Sequence, residues 1–280
     1  MVFEYLTNSI NHFDYKLFLL KQEYLNFVIL AHLGWWLIYG VIHFFTHPKL
    51  KSEKLILDTK NRYVSIIHAL VIFGLSIIDT IYYQKDQCGQ TNTDFQNYIL
   101  LTTFSYFLYD MIACIILNIS DKEMVLHHLS CIIGSYVGVS YNNSANEMIR
   151  ALVVTEISCP IMHIRMILKN YDLKHTMIHL VLDYSYMIIY LIARMGYGTK
   201  VIYFTVFCTD NLLIVRITGG FLWIQSVIFS KRMISLLKHK YKEGKERKQK
   251  SVALYWFSVN KKIEELDYYK RSLKRAAYVP

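Results

Sequence analysis

Runs of about 20 apolar residues recur along this 280-residue sequence, and they constrain its fold more than any other feature. A helix rises roughly 1.5 Å per residue and the hydrocarbon core of a bilayer is about 30 Å thick, so each run matches one crossing. The runs fall at 24–45, 63–83, 98–119, 124–140, 148–168, 176–194 and 201–229. They predict an all-α membrane protein with about seven transmembrane helices. The fourth run is at the short limit. The last is long enough for a tilted helix or for a break near Thr209-Asp210-Asn211 or Gly219-Gly220. No cleavable signal is expected, because the first run, Tyr24 to Phe45, is too long for a signal-peptide core.

A net charge of +10 suggests nucleic acid until its distribution is considered. Twenty-three of the 31 lysines and arginines fall in the loops 46–62, 120–123 and 169–175 and in the tail after Phe229. Those loops share one side of a seven-span protein with its C-terminus. The positive-inside bias therefore predicts a cytosolic C-terminus, or a matrix one in a mitochondrial inner membrane. The basic tail attracts anionic headgroups, and no nucleic-acid partner is expected. Of five cysteines, Cys114, Cys131, Cys159 and Cys208 lie in apolar runs and only Cys88 in a loop. Without a CxxC pair they read as small core residues, with neither a disulfide framework nor a zinc site indicated.

Two flanking segments are amphipathic. Phe3, Leu6, Ile10, Phe13, Leu17, Leu20 and Tyr24 form one helical stripe, and Val252, Trp256, Val259, Ile263, Leu266 and Leu273 form another. Residues 1–23 and 252–273 are thus expected to lie on the headgroups, rest on their own bundle or dock a protein partner. The division that follows is 1–23, an amphipathic segment; 24–59, a first span and basic loop; 60–235, the main helical domain; and 236–280, a basic tail with an amphipathic helix. The charged stretch Lys238–Ser251 marks the boundary before the tail.

Ionisable groups inside a bilayer cost a few kcal/mol each on insertion scales, so they need partners or a wet cavity. They cluster in the middle spans: His68, Asp110, His127, His128, Arg150, Glu156, His163, Arg165, His179 and Asp183. A polar-lined interior follows. His127 and His128, adjacent on a helix, point about 100° apart, so one faces inward while the other meets a neighbouring helix. His127, Cys131, Gly134 and Gly138 share a face of small residues that permits close packing. Glu156, Pro160 and His163 recur at i, i+4 and i+7. A carboxylate and an imidazole there serve either as general base and orienting group or as a buried pair fixing helix register. Eleven histidines scattered along the chain indicate no metal.

Four stretches in this order resemble the TLC domain family, named for the TRAM, longevity-assurance and ceroid-lipofuscinosis membrane proteins. They are Asn61-Arg62-Tyr63-Val64-Ser65 with His68, Ser105-Tyr106-Phe107-Leu108-Tyr109-Asp110, Met124-Val125-Leu126-His127-His128, and Arg150 with Glu156-Ile157-Ser158-Cys159-Pro160 and Arg165. The resemblance, closest to the small TLC-domain-containing proteins, covers about 60–235. It implies a six-helix barrel, preceded by the span at 24–45, with an interior that receives a lipid chain. His68, Asp110, His127, His128, Arg150, Glu156, His163 and Asp183 are the expected cavity residues, and His127, His128 and Glu156 the catalytic candidates. In the ceramide synthase branch, a double His and a later His-Asp-x-x-Asp segment are tied to N-acyl transfer from acyl-CoA. This sequence keeps His127-His128 but has Thr155-Glu156-Ile157-Ser158-Cys159 where that segment should lie. The leading expectation is a lipid-binding or structural membrane protein, or an accessory subunit of a larger complex. Acyl-CoA-dependent N-acyl transfer through the His pair is the alternative. The expected partners are membrane lipids, phospholipid or sphingolipid, with no cofactor. Residence stands open between the endoplasmic reticulum and the mitochondrial inner membrane.

Overall fold

In the computed structural model, which describes residues 20–83, 88–119 and 122–270, the chain is helical, with one isolated β-bridge between Thr91 and Asn143 among the described residues. The helices are α1 (Gln22–Phe45), α2 (Glu53–Tyr82), α3 (Asp94–Ile116), α4 (Lys122–Ser140), α5 (Ala145–Glu156), α6 (Cys159–Asn170), α7 (Met177–Leu191), α8 (Gly198–Phe207) and α9 (Leu213–Gln249). A π-helical turn, Ile192–Tyr197, joins α7 to α8 without a break. Side chains close several N-termini. Ser52 accepts from Leu55 N, and Thr93 and Gln96 form a reciprocal capping box at α3. The N-terminal stripe through Leu17 lies outside the described residues.

Burial is inverted relative to a water-soluble bundle. Leu30, Leu37 and Phe44 of α1 are 69–72% exposed, and Ile188, Tyr203 and Ile217 on the outer faces of α7 to α9 are 51–61% exposed. Asn61, Ser65, His68, Ser76 and Asp79 of α2 are buried. Lipid takes the place of water outside, and polar groups find partners inside.

Among the described residues, six lengths of helix are long and apolar enough to cross a membrane: α1, α2, α3, 145–170, 177–207 and α9. At 19 residues, with Lys122, Glu123, His127 and His128 in its first turns, α4 falls short of that measure. It still runs the height of the bundle. Near its start Glu123 pairs with Arg232, toward the far end of α9. Past its other end Asn142 accepts from Asn92 N and Asn97 Nδ2. Helices α2, α3, α4, α9, α7–α8 and α5–α6 pack in that order into a closed ring, and α1 lies outside it against α3 and α2. This is the expected six-helix barrel with a preceding span.

Two span boundaries differ from expectation. The Gly196-Tyr197-Gly198 segment reads as a loop in sequence, but the π turn carries the helix through it, so 198–207 belongs to the sixth crossing. The chain reverses instead at 208–212, the Thr209-Asp210-Asn211 site. There Asn211 Nδ2 donates to the Thr205 carbonyl and Arg216 Nε to that of Val206, satisfying freed helix-end acceptors.

That reversal also corrects the cysteine reading. Cys208 ends α8 rather than filling a core, and it forms a disulfide with Cys88, Cα to Cα 6.4 Å. Loops 88–93, 141–144 and 208–212 are knit together around it: Asn143 Nδ2 donates to Gly89 O, and Leu212 N to Ser144 Oγ. Gly89 has φ +64°, and a Cβ there would lie 2.6 Å from the Asp210 backbone. Gly89→Ala is therefore expected to destabilise by about 2–3 kcal/mol, through left-handed strain plus a backbone clash. Thermal unfolding in detergent, with non-reducing gels to count disulfides, checks it.

At the opposite end α9 continues through the charged stretch read as a boundary, reaching Gln249. No α-helix spans 252–266: the chain is irregular to Asn260, a 3₁₀ turn covers Lys261–Glu265, and a helical turn opens at 267. The chain folds back in an irregular hairpin whose Tyr255 and Trp256 carbonyls accept from Met177 N and Ile178 N at the start of α7. Val252, Leu254, Val259, Ile263, Leu266 and Tyr268 form a small core of their own, which takes in four members of the predicted stripe and leaves Trp256 exposed. Leu273 lies outside the described residues.

Candidate functional site

An apolar hollow of about 80 Å³ lies among α3, α4, α5, α8 and α9. It has room for a few waters or a short run of methylenes. Leu100, Phe107, Met148, Leu152, Ile202 and Leu222 supply most of its wall. His127, Cys131, Glu147 and Glu156 face it as well. The smallness of α4 on this side lets neighbours approach: a Cβ on Gly134 would sit 3.4 Å from Thr218 Oγ1, and one on Gly138 2.8 Å from Met148 Sδ. The glycines thus set the packing of α4 against α9 and α5, as the small-residue face suggested.

The two adjacent histidines part company, as their 100° offset requires. His127 faces the hollow, with Nδ1 3.2 Å from Gln225 Oε1 on α9. His128 turns toward α2 and α3 and places Nε2 3.4 Å from Asp110 Oδ2. Asp110 also accepts from Asn61 Nδ2 at 2.6 Å, and Tyr109 OH donates to Asn61 Oδ1 at 2.9 Å. Beside them His68 stacks on Tyr106, centroids 3.6 Å apart, with Trp35 and Phe107 at its edges. These residues are one buried polar cluster with an aromatic lid, adjoining the hollow through Phe107.

The remaining candidates lie elsewhere. Glu156 is buried at the hollow, where Thr155 Oγ1 donates to it. His163 is not beside it. The hydrogen-bonded helix is interrupted at Ile157–Ser158, which keep right-handed helical φ and ψ, before Pro160 opens α6, and His163 Nδ1 lies 3.5 Å from Arg62 Nη1 on α2. Of the expected Glu156–His163 pair, Glu156 lines the hollow and His163 meets α2. Arg150 is half-buried on α5, one turn from Glu147, and does not line the hollow.

Asp183 is also remote from the hollow. It sits in a second charged cluster near the tail end of the ring, where Arg165 Nε donates to Oδ1 at 2.7 Å, and Lys240 Nζ and His179 Nδ1 approach Oδ2 at 2.9 and 3.2 Å. Glu243 balances Lys240 at 3.6 Å. Sequence reasoning missed Lys240, because it stands in the charged stretch read as a tail. The spacing Lys240-x-x-Glu243 on a continuing helix was the available signal.

A family model described as the TLC domain matches residues 58–235, more than half of the chain. The chain belongs to the TLC domain family. The match runs from the start of α2 into α9, so every element of the ring and the wall of the hollow lie within the TLC domain, while α1 and the tail hairpin lie outside it. No solved structure matches the chain. Both the His127–His128 pair and Glu156 fall inside the TLC domain, and of the sequence candidates only His127 and Glu156 face its hollow.

Proposed function

We propose that this TLC protein binds lipid, holding part of an acyl chain in the hollow beside His127 and Glu156. The observation that carries the reading is a wall whose surface is mainly apolar, with hydroxyls from several helices and His127, Glu147 and Glu156 facing into it, the usual composition of a site for an amphiphile. Acyl transfer by the two histidines acting together is less well supported, since His128 is engaged by Asp110 behind Phe107.

A photoactivatable, alkyne-tagged phosphatidylcholine in nanodiscs tests the proposal. Crosslinks are expected on hollow residues such as Met148 and Leu152. Crosslinks confined to outward faces, around Leu30 and Ile217, would overturn it.

Two features support a place in a larger assembly or against the headgroups. Tyr255, Trp256 and Phe257 are 52–73% exposed on the tail hairpin, which is pinned at the level where α7 begins. Aromatic rings at that level suit a membrane interface or a partner subunit. Co-purification with a second protein at fixed stoichiometry, lost when the three are changed to serine, supports the subunit role; retention by vesicles alone supports the interface. For residence, the endoplasmic reticulum is favoured. The basic loops point the tail to the cytosol, and the disulfide then stands on the lumenal side, where oxidation is sustained.

A further inference from the structure

Along one wall of the hollow, three polar contacts form a chain whose protons can be placed one by one. Gln225 Nε2 donates to the carbonyl of Glu123 at 3.0 Å, which turns its Oε1 to His127. That oxygen only accepts, so His127 Nδ1, 3.2 Å away, carries the ring proton. Nε2 is left with the lone pair, and Cys131 Sγ lies 3.8 Å from it, one helical turn along α4. Nucleophile, base and orienting amide are thus aligned, and both thiol and base face an apolar hollow. The other two free cysteines lack this arrangement. Cys159 Sγ donates to the Thr155 carbonyl at 3.3 Å, and Cys114 Sγ lies 3.8 Å from Asp110 Oδ1 within the buried polar cluster.

We propose that Cys131 is an S-acylation site, taking an acyl group from a long-chain acyl thioester. The inference rests on the reading that the hollow receives an acyl chain, and it names the chemistry of the donor. As Sγ attacks the thioester carbonyl carbon, His127 Nε2 takes the thiol proton. The tetrahedral intermediate collapses by breaking the bond to the donor's sulfur, and that leaving thiolate receives the proton from Nε2. One thioester replaces another, with no oxidant and no net change in protons. Because the proton moves as sulfur attacks, no free thiolate has to persist in an apolar space. Gln225 is a positioning residue that holds the tautomer.

The test uses the full chain in phosphatidylcholine nanodiscs, exposed to alkyne-tagged palmitoyl-CoA. The expected label is released by neutral hydroxylamine and maps to Cys131 by peptide mass spectrometry. Cys131→Ser should abolish the thioester. His127→Gln should slow its formation by about 100-fold, the usual scale of a lost general base, and Cys159→Ser should leave it unchanged. The Cys131→Ser protein, nearly isosteric, is checked for an unaltered melting temperature, so loss of label cannot be ascribed to misfolding. Label that persists in Cys131→Ser, or maps to Cys114 or Cys159, overturns the proposal. An absent thioester while the photoactivatable lipid still marks Met148 and Leu152 removes the acylation site and leaves the lipid-binding reading standing. Loss of both signals removes both.

Discussion

Replacing Asp183 with alanine is expected to lower the melting temperature of the purified protein by on the order of 10 °C. The reason is an asymmetry of buried charge. Asp183 is 1% exposed and serves Arg165, His179 and Lys240 together, while Lys240 is itself 4% exposed. Removing the carboxylate leaves buried Lys240 with only the more distant Glu243 and strips Arg165 of its partner, a loss of about 3–5 kcal/mol when one partner of a buried pair is deleted. For a chain of this size 1 kcal/mol corresponds to roughly 2–4 °C, which gives the scale. Asp183→Asn should fall between, since it keeps an acceptor for Arg165 but not the charge. Thermal unfolding in detergent, followed by helical circular dichroism, separates the three proteins. A double change, Asp183→Ala with Lys240→Met, should recover part of the loss because it removes one stranded cation. Equal stability of wild type and Asp183→Ala would mean that the cluster does not hold α9 to α7 as described.

The second large effect concerns the Cys88–Cys208 bond. It joins residues 120 apart and closes most of the ring, from the loop before α3 to the reversal before α9. Cross-links over long loops restrict the unfolded ensemble most, and losing a native disulfide typically costs about 2–5 kcal/mol. Cys88→Ser and Cys208→Ser should each lower the melting temperature by a similar amount, and the double variant should fall no further. Wild type treated with dithiothreitol should converge on the same value. The neighbouring contacts Asn143–Gly89 and Leu212–Ser144 remain when the bond is cut, so the protein should still fold. A double variant much worse than either single one would show that the thiols contribute to packing apart from their bond.

Much of the architecture was legible in the sequence, because a bilayer imposes one rule on each run of apolar residues. The all-α membrane class, the six-membered barrel and the lone preceding helix follow from runs of bilayer length together with the family resemblance, while the order of helices round the ring does not. What the sequence did not disclose was decided by local backbone chemistry and by distance. Gly196 and Gly198 look like a turn, yet the π turn accommodates them. Cys208 sits inside an apolar run, so nothing local marks it as the partner of Cys88. The candidate site was legible in its members rather than in its grouping. His127 and Glu156 do face one hollow, but His163 meets Arg62, and Asp183 pairs with a lysine that composition assigned to the tail. Gln225 was overlooked, because a single amide in an apolar run has no motif until His127 is seen opposite it.

One consequence lies in the unbroken length of α9. From Leu213 to Gln249 it is a single rod of about 55 Å, nearly twice the thickness of the hydrocarbon core. One face of its membrane half walls the hollow, and its far half carries Lys240 and the hairpin. A rod held near one end magnifies small rotations: leaning by about 5° moves the distant tip by about 5 Å. Swelling of the ring around an occupant would therefore be read out beyond the headgroups as a swing of Tyr255, Trp256 and Phe257, unless the Asp183 anchor and the hairpin's bonds to Met177 and Ile178 resist it.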